Sequence, residues 1–125
     1  MLRCLHRFSW FYFTVLTLLL LSPDFTEPLR RGIKAEGYAH ILVFGLLGLL
    51  FEAGRRKRTF EFWAAFLTLY AVGTEILQGA LNPVCYRECD LNDMIQDLAG
   101  VQAGMVIARL CVLTAQWKTQ RKTDV

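Results

Sequence analysis

The sequence predicts an all-α protein, a four-helix transmembrane bundle forming one domain with both termini in the cytoplasm. Three observations carry that expectation. Hydrophobic residues make up 54% of 125 positions, and mean hydropathy is +0.34. They fall in blocks instead of being spread at a soluble-core period, which is how membrane-spanning segments read. Basic residues border those blocks, as they do in chains whose topology is set by charge.

The blocks set helices at about 8–21 ("FSWFYFTVLTLLLL"), 38–53 ("YAHILVFGLLGLLFEA"), 60–81 and 91–113. Spanning takes roughly 20 residues, so the first two need their flanks to reach both interfaces. Trp10, Tyr12, Tyr38, Trp63 and Trp117 stand near block ends, where amphipathic rings favour the membrane–water boundary. The first block resembles a secretory signal, with Arg3 and Arg7 ahead of an apolar run, but "LLLLSPDF" has no small-x-small cleavage site. It is therefore expected to stay as the first helix; cleavage would leave three.

Charge orients the bundle. "GRRKRT" places Arg55, Arg56, Lys57 and Arg58 in the second loop with no acid, so that loop is expected in the cytoplasm. Both termini then face the cytoplasm, and "SPDFTEPLRRGIKAEG" and "NPVCYRECD" face outside. Arg109 falls toward the cytoplasmic end of the fourth helix, where it can snorkel. The net charge of +3 does not point to nucleic acid, because the basic residues form no stripe and no reading module accompanies them.

This orientation brings polar residues of three helices to one depth in the outer leaflet. His40 lies in the first turn of the second helix, and Glu75 and Gln78 share a face near the outer end of the third. Asp90, Asp93 and Asp97 share a face at the mouth of the fourth. Ionisable groups inside a membrane are costly and by default line a functional interior. Single residues have plainer readings: Asp90 as a helix N-cap, Glu75 paired with Arg87, His40 as an interfacial histidine. The convergence is what argues for a site. Gly45, Gly48, Gly73, Gly79, Gly100 and Gly104 supply small surfaces, and "GVQAG" is a small-xxx-small pattern for close helix packing.

Cys85 and Cys89 in "CYREC" fit either a disulfide in an oxidising compartment or two free thiols. Zinc held with His40, Glu75 and Asp93 is the remaining alternative, disfavoured because paired CxxC spacing is absent. No resident metal or cofactor is expected.

The stretch "EILQGALNPVCYRECDLNDMIQDLAGVQAG" resembles the signature of VanZ-like membrane proteins. The family's Glu-x-x-Gln, Pro, Arg, paired Asp and paired Gly fall on Glu75, Gln78, Pro83, Arg87, Asp90, Asp93, Gly100 and Gly104. Its upstream His-x-x-x-Phe falls on His40 and Phe44 of "EGYAHILVF", with Glu36 at the family's leading acid. The match spans residues 36 to 104. Asp97 stands where the family has asparagine and Gly37 where it has lysine, and the cysteines flanking Arg87 are not part of the pattern.

The resemblance implies a multi-pass cell-membrane protein of the bacterial envelope, which is the inner membrane if the cell is Gram-negative, linked in its founding member to teicoplanin resistance. Its expected partners are membrane lipids and a lipid-linked or peptidoglycan-related ligand. Two functions follow. One is binding of an envelope component by Gln78, Arg87, Asp90 and Asp97. The alternative is an enzyme acting on a lipid or lipid-linked precursor, with His40, Glu75 and Asp93 as its catalytic groups.

Reporter fusions test the orientation. Fusions after Arg58 and Trp117 should report cytoplasm, and one near Tyr86 the outside. An external Arg55–Arg58 loop would put the acids on the cytoplasmic side.

Overall fold

The computed structural model describes residues 2–22, 35–55, 59–82 and 89–123. Four helices make up nearly all of it: α1 (Leu2–Leu21), α2 (Ala35–Ala53), α3 (Phe60–Ala80) and α4 (Leu91–Thr123). Among the described residues there is no strand. α1, α3 and α4 are each long and apolar enough to cross a membrane, whereas the apolar run of α2, Tyr38–Ala53, is shorter. The outer surface is itself apolar: Phe11, Leu18, Leu42 and Leu69 are each more than 60% exposed. Such a surface suits lipid, not water.

Two helices run past the apolar blocks that announce them. α1 begins at Leu2, since nothing in "LRCLHR" breaks a helix. α4 continues ten residues beyond Leu113 through "TAQWKTQRKT", which holds neither glycine nor proline. Thr59 caps α3, its Oγ1 accepting from the Phe62 N–H at 3.3 Å.

Contacts run in alternating directions along the chain. Ser9 reaches Leu50 and Tyr12 reaches Val43, so α1 and α2 are antiparallel. Gln102 reaches Thr68 and Asp90 reaches Glu75, so α3 and α4 are antiparallel too. α2 and α4 are parallel and form the main contact of the bundle. Their backbones meet: a Cβ on Gly104 would overlap the Gly45 carbonyl, one on Gly48 the Val101 carbonyl, and one on Gly100 the Ile41 carbonyl. Helices in lipid gain little from hydrophobicity, so close van der Waals fit of this kind drives their association. Gly79 instead makes room for Cys89, and Gly73 has nothing within 4 Å.

α1 and α3 close the bundle. Leu16, Leu20, Phe44, Leu47, Leu67, Val101 and Met105 form its core. Trp63 turns inward, 6% exposed, and meets Phe51 at 4.9 Å and Trp10 at 6.1 Å between ring centres. It serves in an aromatic cluster and not in an interfacial belt. Interhelical hydrogen bonds reinforce the fit: Tyr12 Oη to the Val43 carbonyl at 3.0 Å and Tyr70 Oη with Thr17 Oγ1 at 2.9 Å. Each such bond is worth about 0.6 kcal/mol on average in a membrane.

Gly104→Ala is therefore expected to destabilise the bundle, with overpacking costing about 1–3 kcal/mol. Gly73→Ala should leave stability unchanged or slightly raised. Thermal unfolding in detergent checks both; equal loss from the two would show that the α2–α4 contact is not what holds the bundle.

Candidate functional site

At the end of the bundle where α2 and α4 begin and α3 finishes, polar side chains gather as the helical spacing implies. His40 sits in the second turn of α2, largely buried. Its Nδ1 lies 2.8 Å from Asp97 Oδ1 on α4, and Asp97 itself is fully buried. With the shared proton on Nδ1, the histidine donates to the carboxylate and leaves Nε2 with a free lone pair. Nε2 faces Asp93, one turn earlier on α4, at 3.7 Å from Oδ2. That distance is too long for a hydrogen bond. Asp97 Oδ2 has no hydrogen-bond partner among the described residues.

Glu75 comes in from α3, 1% exposed. Its Oε2 accepts the Asp90 backbone N–H at 3.2 Å. Asp90 caps α4: its Oδ1 accepts from the Asn92 N–H at 2.7 Å and its carbonyl from the Met94 N–H at 3.0 Å. Glu75 thus braces the start of α4 while its carboxylate stays beside His40 and Asp93. One ligand atom each from His40, Glu75 and Asp93 lie within 4.8 Å of one another.

The expected site residues separate accordingly. His40, Glu75, Asp93 and Asp97 come together. Asp90 stands at their edge as a cap. Gln78 does not join them: its Nε2 donates to the Leu20 carbonyl at 2.8 Å, tying α3 to the last turn of α1. Arg87 and Cys85 lie outside the described residues, while Cys89 is an exposed free cysteine, which goes with the free-thiol alternative and not the disulfide.

Two features have no counterpart in the sequence reading. An apolar cleft of about 200 Å³ runs between α1 and α2, lined by Leu16, Leu19, Leu20, Val43 and Phe44, with His40 in its wall. At the opposite end of the bundle Glu52, 1% exposed at its side chain, lies 3.2 Å from Arg55 Nε and 3.5 Å from Arg109 Nη1. Arg109 therefore has a buried partner and does not simply snorkel. The signal was available in principle, since a lone glutamate at the end of an apolar helix stands four residues from Gly48 on one face.

A helical bundle with an apolar exterior is the architecture of a membrane protein, and this one gathers polar groups from three helices at one end. The chain belongs to the VanZ/LLP1 family, whose family model matches residues 4–112. No curated protein and no solved structure matches it.

The His40–Asp97 contact yields a prediction. Asparagine keeps an oxygen to accept from His40, so Asp97→Asn should accumulate and melt like the parent. Asp97→Leu strands the half-buried Nδ1–H at a cost of about 1–3 kcal/mol, and should lower both melting temperature and membrane level. If asparagine harms as much as leucine, charge and not the hydrogen bond is what matters.

Proposed function

We propose that this VanZ-like membrane protein binds an amphipathic envelope component, its headgroup at the polar cluster and its apolar chain in the cleft between α1 and α2. One observation carries the reading: His40 belongs to both places, lining the cleft while bonded to Asp97. A ligand contacting His40 thus has an apolar wall on one side and carboxylates on the other. Arg87, three residues before the Asp90 cap, supplies the charge suited to a phosphate or carboxylate. The basic Arg55–Arg58 stretch at the other end of the bundle supports an outer-leaflet location. A lipid-linked, peptidoglycan-related precursor has this chemistry, and holding one would link the protein to glycopeptide (teicoplanin) resistance.

The second reading, a membrane-embedded enzyme acting on the same class of molecule, draws on the same hydrogen bond. A histidine oriented by a carboxylate, with its free nitrogen directed at the ligand position, is placed for general acid–base work, with Glu75 and Asp93 beside it.

One experiment separates the readings. Protein in lipid nanodiscs is offered a photoreactive lipid-linked precursor, and both crosslinking and product release are followed. Crosslinking without release supports binding; release supports the enzyme. Ala39→Trp at the exposed mouth of the cleft, Glu75→Gln and Arg87→Ala should each cut crosslinking at least tenfold with protein level unchanged. They should also abolish any resistance conferred on a strain relying on this copy. Neither crosslinking nor release would sink both readings.

A further inference from the structure

We propose that His40, Glu75 and Asp93 form a binding site for one divalent transition-metal ion of the zinc class, with Asp97 as the partner that orients His40. It rests on the same cluster as the ligand-binding reading and adds the ion to it.

The geometry around His40 is what a metal-binding histidine needs. Such a histidine donates its other ring N–H to a carboxylate or carbonyl, fixing tautomer and ring direction. Asp97 Oδ1 is placed to accept it at 2.8 Å from inside the bundle. Nε2 then presents its lone pair to the space that Asp93 and Glu75 border. The 3.7 Å between Nε2 and Asp93 Oδ2 lies close to the roughly 3.4 Å edge of a tetrahedron with ~2.1 Å bonds. The ligand atoms of all three residues lie within 4.8 Å, and rotation of a carboxylate side chain closes the widest gap. The cluster is not a surface patch of acids: Glu75 is 1% exposed, and His40 and Asp93 are 14% and 29% exposed at their side chains. Asp93 is the most exposed of the three, so the ion's path in would pass it.

Donor type selects the ion. One imidazole nitrogen with two carboxylate oxygens suits zinc, iron, cobalt or nickel, whereas magnesium and calcium prefer oxygen alone. Three protein ligands leave a fourth position open. A phosphate or carboxylate oxygen of a bound headgroup is the natural fourth ligand, beside the cleft that would hold its apolar chain. That the partner orienting His40 is a carboxylate strengthens the case. A carboxylate makes the histidine it accepts from a more basic ligand than an amide does.

The test uses the full chain purified in detergent through an affinity tag free of histidine, stripped with chelator and titrated with Co²⁺. One Co²⁺ per chain should bind, with the visible absorption of a four-coordinate site, and Zn²⁺ should displace it. Asp93→Asn and Glu75→Gln should abolish the bands. His40→Cys should retain cobalt and add a sulfur charge-transfer band in the near ultraviolet. Asp97→Ala should weaken binding about 10–100-fold, and Asp97→Asn less. The Cys85→Ser/Cys89→Ser double variant should bind as the parent does. If His40 variants fail to elute as folded protein, Asp93→Asn decides, because that side chain is partly exposed and outside the core.

No bound Co²⁺, cobalt retained by Asp93→Asn, or cobalt lost with the two cysteines would each overturn the proposal. Metal content and precursor crosslinking are separate readouts. Metal without crosslinking overturns only the ligand reading, and crosslinking by a protein that takes up no Co²⁺ overturns only the metal.

Discussion

The close approach of the α2 and α4 backbones governs the rest of the molecule. Ile41, Gly45 and Gly48 meet Gly100, Val101 and Gly104, and a Cβ on Gly48, Gly100 or Gly104 would overlap the facing backbone. That contact sets a fixed register between two parallel helices. His40 and Asp97 are 57 residues apart in sequence, and so are Glu52 and Arg109. The two polar pairs are therefore one relationship, repeated about 18 Å apart along a pair of helices rising ~1.5 Å per residue. A slip of one residue would break both pairs and drive glycine positions into side chains. Polar ends and small-residue middle specify a single alignment, which matters in lipid, where hydrophobic burial cannot choose among alignments.

The two ends are built for different work. Glu52 and its arginines occupy a region where α2 leads into a basic loop, and opposite charges meet at 3.2 and 3.5 Å. A buried pair of this kind costs desolvation and argues for alignment more than for stability. At the other end one imidazole faces three acids. Glu75 and Asp90 each contribute to holding the start of α4, so bracing and ligand-facing roles share the same few residues.

Much of this was legible in the sequence. The helices were, because apolar blocks end at charge clusters or prolines. The meeting of His40, Glu75, Asp93 and Asp97 was too, because alternating helix direction places the start of α2, the end of α3 and the start of α4 together. Gln78 was expected beside Glu75, whose helical face it shares, but it stands about one turn further along α3, where its Nε2 meets the last turn of α1. A shared face fixes direction to within about a quarter turn and says nothing of which neighbour is nearer. Trp63 was read as interfacial from its position near a block end, and depth along a helix does not reveal which side faces in. Glu52 escaped notice because its partner Arg109 lies in a distant block, and register between helices is invisible until the glycine contact is seen.

The cleft lies between two helices, where α1 finishes and α2 begins, and exposed Leu19 and Ala39 border it. On the proposed binding reading, a molecule seated there would arrive sideways, out of the bilayer, without crossing water. Its occupancy then follows its mole fraction among the surrounding lipids, whatever its aqueous concentration. Diluting the sample with buffer would leave binding unchanged, whereas diluting the ligand with bulk lipid would empty the site. Affinity for such a ligand would accordingly be a two-dimensional quantity, on which the abundance of competing lipid in the leaflet would act as directly as any residue.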